Sequence, residues 1–364
     1  MEISELNDYY ERGLIAKQTH PTLPLTIWNY TEKVQYENLW NEVTLKCRGL
    51  ITDNNTGKAI VEPFKKFFNY EELAADRISG SKIPSKGDYV YVQEKMDGSL
   101  GILFWYGDQW IMATRGSFTS DQAIKGLEIV KNNYFLDVFL REYVYLVEII
   151  YPENRIVVDY RKEKVTFLSV VLNRKHEGWN PTDDSELHWT TANSIFKCIG
   201  LKKKDIVKTE QHFNFSDELY QSLKSKNEKN KEGYVLRYQP GNFRMKIKFD
   251  DYVRLHKIMT NLSTIAVWEV LSNGQNMDSI LNDVPDEFYQ KIREYEDKLH
   301  CEFRRLKSEY EDHFESIRRL GTRKLFAQFS NVGFMYPKIL FAMYDGKSVD
   351  EMIWKIVKPE FRKL

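Results

Sequence analysis

KGDYVYVQEKMDGSLGILFWYGDQWIMATRGS, residues 86–117, decides how the rest of the chain is read. Its β-branched and aromatic runs, cut by Asp97-Gly98 and Gly107-Asp108, predict two or three strands joined by tight turns. In its middle a half-buried strand, YVYVQ, runs straight into Glu94-Lys95-Met96-Asp97-Gly98. That sets one amine at a strand end beside a turn, where backbone can close tightly on a ligand. Lysine becomes a nucleophile when nearby cations or loss of water lower its pKa. The plainer reading of the same residues is a surface lysine in an Asp-Gly hairpin turn.

Working outward, residues 141–160 and 164–174 are again β-branched and aromatic, and Pro152 breaks the first run. EGYVLRY (232–238), a Pro-Gly turn at 240–241 and NFRMKIKF (242–249) predict a hairpin. Residues 117–134 have Ser and Asp caps and apolar spacing suited to a helix. The lysine-rich KSKNEKNK (224–231) reads as a solvated loop, and no repeat of fixed period is found. After about residue 250 the period changes. From Pro285, residues Phe288, Ile292, Tyr295, Leu299, Phe303, Leu306, Tyr310, Phe314, Ile317 and Leu320 recur at steps of three or four. That predicts a helix of about 35 residues, ~50 Å long, capped by Asp283 and stopped by Gly321. The fold class is therefore α+β. Antiparallel sheets with flanking helices occupy residues 1–253, and an all-α domain occupies 254–364.

Composition narrows the classes. A chain of 364 residues fits two domains of roughly 100–200 residues each. The 53 basic and 53 acidic residues cancel, which excludes a uniformly basic coat but allows a local basic groove. No run approaches the ~20 apolar residues that span a bilayer. The N-terminus, MEISELNDYYERGL, lacks the apolar core of a secretory signal. Cys47, Cys198 and Cys301 are odd in number and far apart, which points to a reducing compartment and offers no CxxC metal site. The seven histidines show no HxH or HExxH spacing, and P-loop, GxGxxG and GxSxG patterns are absent.

What remains is an inventory of charges beside apolar strands. Lys246 and Lys248 alternate on one strand and so share a face, where like charges cost stability unless an anion lies between them. Glu148, inside LVEII, needs a partner if buried: a cation such as Arg155, a hydroxyl or a metal. Glu232 is a second acid at a strand start. Arg48 and Lys66 add cations, and Arg115-Gly116-Ser117 is placed at a strand-to-helix junction suited to a phosphate. Cations for oxyanions, carboxylates for Mg²⁺ and a turn-positioned lysine together fit phosphate-transfer chemistry.

Lys95-Met96-Asp97-Gly98 resembles motif I (KxDG) of the covalent nucleotidyltransferases, the polynucleotide ligases and mRNA capping enzymes. Glu148 falls where motif III has its glutamate, and VTFLSVV (165–171) resembles motif IIIa. Glu232-Gly233-Tyr234-Val235 resembles motif IV, and Lys246-Ile247-Lys248 resembles motif V. CRGL (47–50), KFFN (66–69), RGS (115–117), PxNRIV (152–157) and KIKxDxYVxLH (246–256) are similar to the RNA ligase 1 family of T-even phages, the tRNA-repair type. The family has a lysine at the position of Arg115, which keeps the charge but changes the geometry. The likeness covers residues 45–256.

The resemblance implies a nucleotidyltransferase domain followed by a helical RNA-specificity domain. The activity it implies is an ATP-dependent RNA ligase that joins 3′-OH and 5′-phosphate ends, with nicked tRNA as a candidate substrate. Lys95 would attack ATP to form lysyl-AMP, which requires a depressed pKa that Lys246, Lys248 and Mg²⁺ (or Mn²⁺) would supply. Lys246 and Lys248 would bind the α-phosphate, and Arg48 and Lys66 the β- and γ-phosphates. Glu94, Asp97, Gly98, Arg115 and Val235 would complete the nucleotide site. Glu148 and Glu232 would hold the metal, or Glu148 the ribose. The implied setting is a host or bacterial cytoplasm, with no membrane and no obligate protein partner. Alternatives are a DNA ligase or a capping guanylyltransferase, which usually carry a β-rich domain after motif V, and a non-catalytic nucleic-acid-binding protein.

Overall fold

In the computed structural model the strands flanking Asp97-Gly98 enter different sheets, so this turn closes no hairpin. The structure describes residues 2–75, 83, 89–173, 186–239, 241–261, 263–275, 277, 289–319, 322–330 and 336–360. The strands are β1 (Ile15–Thr19), β2 (Leu25–Tyr30), β3 (Arg48–Asp53), β4 (Lys58–Val61), β5 (Phe68–Asn69), β6 (Tyr89–Lys95) and β7 (Ser99–Tyr106). They continue as β8 (Gln109–Ala113), β9 (Tyr143–Ile150), β10 (Lys164–Leu172), β11 (Thr209–Phe213), β12 (Gly233–Gln239) and β13 (Arg244–Lys248). Three sheets result, ordered β1-β2-β3-β4, β10-β9-β7-β8 and β11-β6-β12-β13-β5. Pairing is antiparallel except between β13 and β5.

Alternation along the strands assigns each face. The first two sheets meet through Leu25, Ile27, Ile51, Ile102, Phe104 and Leu146. The far face of the second sheet, with Tyr145 and Phe167, is covered by helices Asp121–Asn133 and Trp189–Cys198. In the third sheet Val90, Val92, Leu236, Met245 and Ile247 pack with Leu73 and Leu223. Burial of each such aliphatic side chain contributes roughly 1.5–3 kcal/mol. The opposite face of this sheet carries Gln93, Lys95, Val235, Lys246 and Lys248, because side chains alternate with a period of two. The first helix after β8 is Asp121–Asn133, capped by Ser120, whose side chain accepts from the Ala123 N–H. Arg115-Gly116-Ser117 therefore lies in the loop ahead of that cap, not at the helix N-terminus as expected.

Residues 254–364 form a separate unit by contact density, with residues 1–253 the other. Its described elements are helices: Thr264–Ser272, Tyr289–Ile317, Arg323–Ser330, Pro337–Tyr344 and Asp350–Ile356, preceded by Asp250–Asn261, which begins in the first unit. Ile292, Leu299, Tyr310 and Ile317 bury one face of the 29-residue helix against Val267, Leu340 and Ile353. The expected cap Asp283, the start at Pro285 and Phe288, and the stop at Leu320-Gly321 lie outside the described residues, as do Arg174 and Pro240. Among the described residues no helix is long and apolar enough to cross a membrane. Residues 224–231, expected to be a solvated loop, start in helix Asp217–Ser225 and keep Ser225, Lys226, Lys229 and Asn230 exposed, but are also bonded to strands and a helix.

One ion cluster sits inside the first unit. Glu186 pairs with Arg244 and, at 3.2 Å, with Arg237, whose side chain is 0% exposed, and it accepts from Ser169 Oγ at 2.5 Å. Burial pushes the Glu186 carboxyl up, but Arg244 and Arg237 outweigh it and hold the group below the usual carboxylate range. A depressed carboxyl stabilises the fold fully above its unfolded value of 4.5 and ceases to do so as pH falls through its folded value. Glu186→Ala strands a buried guanidinium, for which a loss of about 3–5 kcal/mol is expected in denaturant titration at pH 7. Glu186→Gln should lose less further stability than wild type on acidification below pH 4.5.

Candidate active site

β12 lies between β6 and β13, and the register sets Gly233 opposite Lys95 on one side and Lys248 on the other. Glu232, the preceding residue, reaches both. Its Oε2 is 2.8 Å from Lys95 Nζ and its Oε1 is 2.9 Å from Lys248 Nζ, with the carboxylate only 3% exposed. Gly233 has φ +143°, and a Cβ there would come within 2.0 Å of the Ile247 carbonyl, so the close approach requires glycine. Burial raises the Glu232 pKa, but Lys95 and Lys248 prevail and hold it below the usual carboxylate range.

The protein groups by themselves do not produce the depression of Lys95 expected of Lys246, Lys248 and Mg²⁺ (or Mn²⁺) together. Burial pushes its pKa down, but Glu232, then Glu148, with Asp97 adding to them, push it above the ordinary lysine value. Lys248, expected to repel Lys95, is paired with the same carboxylate. The depression falls on Lys246 instead: burial, then Lys95, Lys66 and Lys248, bring it to about 7. Glu148, on β9, accepts from the Gly98 N–H at 3.1 Å. A Cβ on Gly98 would lie 2.5 Å from the Ile149 carbonyl, so this contact also depends on glycine. Burial raises Glu148 to about 7, with Lys95 and Arg48 offsetting only part. Arg155, a candidate partner of Glu148, donates to the Val157 carbonyl and lies 3.9 Å from Asp159.

Lys95, Gly98 and Glu148 border a cavity of about 520 Å³, whereas Glu232, Lys246 and Lys248 are not among its lining residues. Of the expected residues, Arg48, Glu94, Lys95, Gly98, Arg115, Glu148 and Val235 line it. Lys66 lines a smaller cavity, of about 200 Å³, which shares Phe64, Phe67 and Arg244 with the first. Asp97 lines neither. Its Oδ2 accepts from the Val157 and Val158 N–H groups at 2.8 Å, and its Oδ1 accepts from Tyr252 OH at 2.7 Å. It ties the loop after β9 to helix Asp250–Asn261.

Sequence reading missed Tyr30. Its hydroxyl accepts from Arg115 Nη1 at 3.3 Å and from Lys66 Nζ at 3.5 Å. Burial raises its pKa, but Lys66, Arg115 and Arg48 together bring it below the usual tyrosine value. Arg48 Nη1 is buried without a hydrogen-bond partner among the described residues. Three cations around one oxygen, one of them with an orphaned donor, suit a polyanion. Tyr30 gave no sequence signal, being one aromatic among many in a strand. Gln93 was findable, since it sits two residues before Lys95 and so on the same face.

A family model described as RNA ligase matches residues 46–252, more than half of the chain, and the chain belongs to that family. It is 24% identical over 302 residues to an RNA ligase of Rhodothermus phage RM378, across 69% of this chain and 68% of that one. It is 25% identical over 283 residues to a protein of Autographa californica nuclear polyhedrosis virus that is provisionally named a bifunctional polynucleotide kinase/RNA ligase. That match spans 69% of this chain and 38% of the viral protein. Among solved structures, an archaeal ATP-dependent RNA ligase is similar at 12% identity with a TM-score of 0.48, over 81% of this chain and 75% of that one.

The raised carboxyl of Glu148 gives a stability prediction opposite in sign to that of Glu186. The folded state keeps this proton up to about pH 7, whereas the unfolded chain releases it near 4.5, so stability falls as pH rises between the two. Glu148→Gln should therefore have a higher Tm than wild type at pH 8 and an equal Tm at pH 4, read by thermal melts at both values.

Proposed function

We propose that the chain joins RNA 3′-OH and 5′-phosphate ends with ATP, through lysyl-AMP and RNA-adenylate intermediates. The observation that carries this reading is a strand-end lysine sharing a buried carboxylate with a second lysine, in a cavity also lined by Arg48 and Arg115. Lys95 first gives up its proton to solvent, once its pairing with Glu232 is broken. Its lone pair then forms an N–P bond to the α-phosphate as the bond to pyrophosphate breaks. Lys246 and Lys248 bind the α-phosphate oxygens, while Arg48, Lys66 and Arg115 neutralise the β- and γ-phosphates. Glu94 backbone and Val235 flank the adenine. An oxygen of the RNA 5′-phosphate next displaces Lys95 from AMP, and the 3′-OH then attacks that phosphate and releases AMP.

A divalent cation, Mg²⁺ or Mn²⁺, fits these donors. Glu148 is a buried carboxylate with less positive charge around it than ionisation needs. Among the described residues no three His, Cys, Asp or Glu side chains gather as a cage, so a hydrated ion held by Glu148 and Glu232 through water suits the donor set. Bound there, the ion supplies charge that lowers the lysine pKa and screens phosphate oxygens. Glu148 toward the ribose hydroxyls is the other assignment.

The helical unit is proposed to select the RNA. Arg305, Lys307, Arg318 and Arg323 are paired with Glu309, Asp350, Glu315 and Asp345. Arg319 and Lys324 have no ion pair among the described residues and are the better candidates for phosphate contacts. The substrate class would be structured RNA such as a nicked tRNA loop, in a host or bacterial cytoplasm.

Three outcomes test these roles. Lys95→Ala should take no label from α-labelled ATP yet still seal RNA that is already 5′-adenylylated, and Lys95→Arg should fail equally, since guanidinium stays protonated. Label on either variant would place the nucleophile elsewhere, and label from GTP, or sealing of nicked DNA but not RNA, would favour a capping or DNA-ligase activity. A chain ending at Asn261 should form lysyl-AMP and lose its preference for nicked tRNA over single strands. Arg319→Ala should weaken RNA binding and flatten its salt dependence by about one unit of slope per lost phosphate contact.

A further inference from the structure

Residues 224–231 line none of the described cavities, yet they reach residues of β6, β12 and β13, three of the strands that carry motif residues. Lys224, in the last turn of helix Asp217–Ser225, is 21% exposed. Its ammonium has three donors, and three acceptors meet it: the Lys248 carbonyl at 2.7 Å, Asp250 Oδ1 at 2.8 Å and Glu71 Oε1 at 3.4 Å. Asn227 and Asp251 bond reciprocally: Asn227 Nδ2 donates to Asp251 Oδ2 at 3.1 Å, and the Asp251 N–H donates to Asn227 Oδ1 at 3.3 Å. Asn230 does the same with the backbone of Asp159, at 2.7 and 3.2 Å. Glu228 accepts from Tyr234 OH at 2.9 Å and pairs with Lys231 at 2.5 Å, and Lys231 lies 4.0 Å from Glu94. Asn227 and Asn230 both have positive φ, which asparagine tolerates better than most residues, so the segment can turn twice within four positions.

These contacts fall where the sheet gives least support. β5 pairs with β13 only at Met245 and Lys246, so among the described residues no strand pairs on that side at Lys248. Lys224 supplies a partner there. On the other side the Phe249 N–H donates to the Glu232 carbonyl at 3.0 Å, which couples the strand end to the residue that both lysines share.

We propose that residues 224–231 form a clasp that positions the Lys95–Glu232–Lys248 group, with Lys224 as its positioning residue. By fixing the Lys248 carbonyl, Lys224 sets where the Lys248 ammonium meets Glu232, and so how Lys95 is presented. The catalytic consequence rests on the lysyl-AMP reading, whereas the clasp itself does not.

The test compares full-length wild type, Lys224→Met, Lys224→Arg, Lys248→Met and the Lys224→Met/Lys248→Met double variant. Two readouts are used: single-turnover labelling by α-labelled ATP and amide hydrogen exchange followed by mass spectrometry. Lys224→Met should slow labelling at saturating ATP about 10-fold or more, because small misplacements of reacting groups are costly. Its half-saturating ATP concentration should stay within about 3-fold of wild type. Lys224→Arg should recover most of the rate, and the double variant should be no slower than Lys248→Met alone. Exchange in Lys224→Met should quicken in peptides covering 232–234 and 246–251, with helix Asp121–Asn133 unchanged. Additive losses in the double variant, or unchanged exchange at 246–251, would overturn the clasp. If wild type takes no label from ATP, the ligase reading fails, and exchange alone then decides for or against the clasp, as it does where Lys248→Met is too slow to time.

Discussion

Two ammonium groups share one carboxylate that is almost wholly withdrawn from water, and the rest of the site is arranged around that sharing. Lys95, Glu232 and Lys248 meet only because β12 separates β6 from β13 and because Gly233 leaves room between them. One acid cannot balance two bases and also serve a third. Lys246, on the same face, has no such partner among the described residues, and burial together with the charges of Lys95, Lys66 and Lys248 lowers its pKa. Lys95 shows the opposite effect: the residue expected to be poised as a free amine is held as an ammonium until something competes for Glu232.

Charge is sorted within the site rather than mixed. Glu232, Glu148 and Asp97 act on the strand-end lysine, while Arg48, Lys66 and Arg115 converge on Tyr30. Neither group is balanced internally, as the raised carboxyl of Glu148 and the orphaned nitrogen of Arg48 show. Such imbalance destabilises a folded chain, so the apolar clusters on the other faces of the sheets must offset it. The Glu186–Arg237–Arg244 cluster is a contrast within the same unit: it is equally buried but closely paired, and it suits a structural role.

Much of this was legible in the sequence because strand alternation is local. The lysine at a strand end, the acid inside a buried strand and the KxK face follow from a period of two, and the change to helical spacing marked the second unit. What the sequence hid was long-range. Asp97-Gly98 looks like a hairpin turn, and only the sheet assignment shows that its flanking strands part. KSKNEKNK has the composition of a solvated loop, yet its lysines and asparagines find partners at residues 71, 94, 159, 248, 250 and 251. The protonation state of Lys95 depends on which of several charges comes nearest, and a one-dimensional inventory of cations cannot rank those distances.

The central place of β12 also bears on when the chain acquires its chemistry during folding. Lys95 and Glu232 are 137 residues apart in sequence, and their pairing requires a late strand to enter between an earlier one and a still later one. Closing a loop of that length carries an entropic cost that only the finished ladder repays. A partly folded or partly synthesised chain can therefore hold the second sheet, and even the turn after Lys95, while Lys95 still lacks its carboxylate. The group is complete only once β12 and β13 are in place, so on the proposed reading an unfinished chain would not modify itself or its substrate at this site.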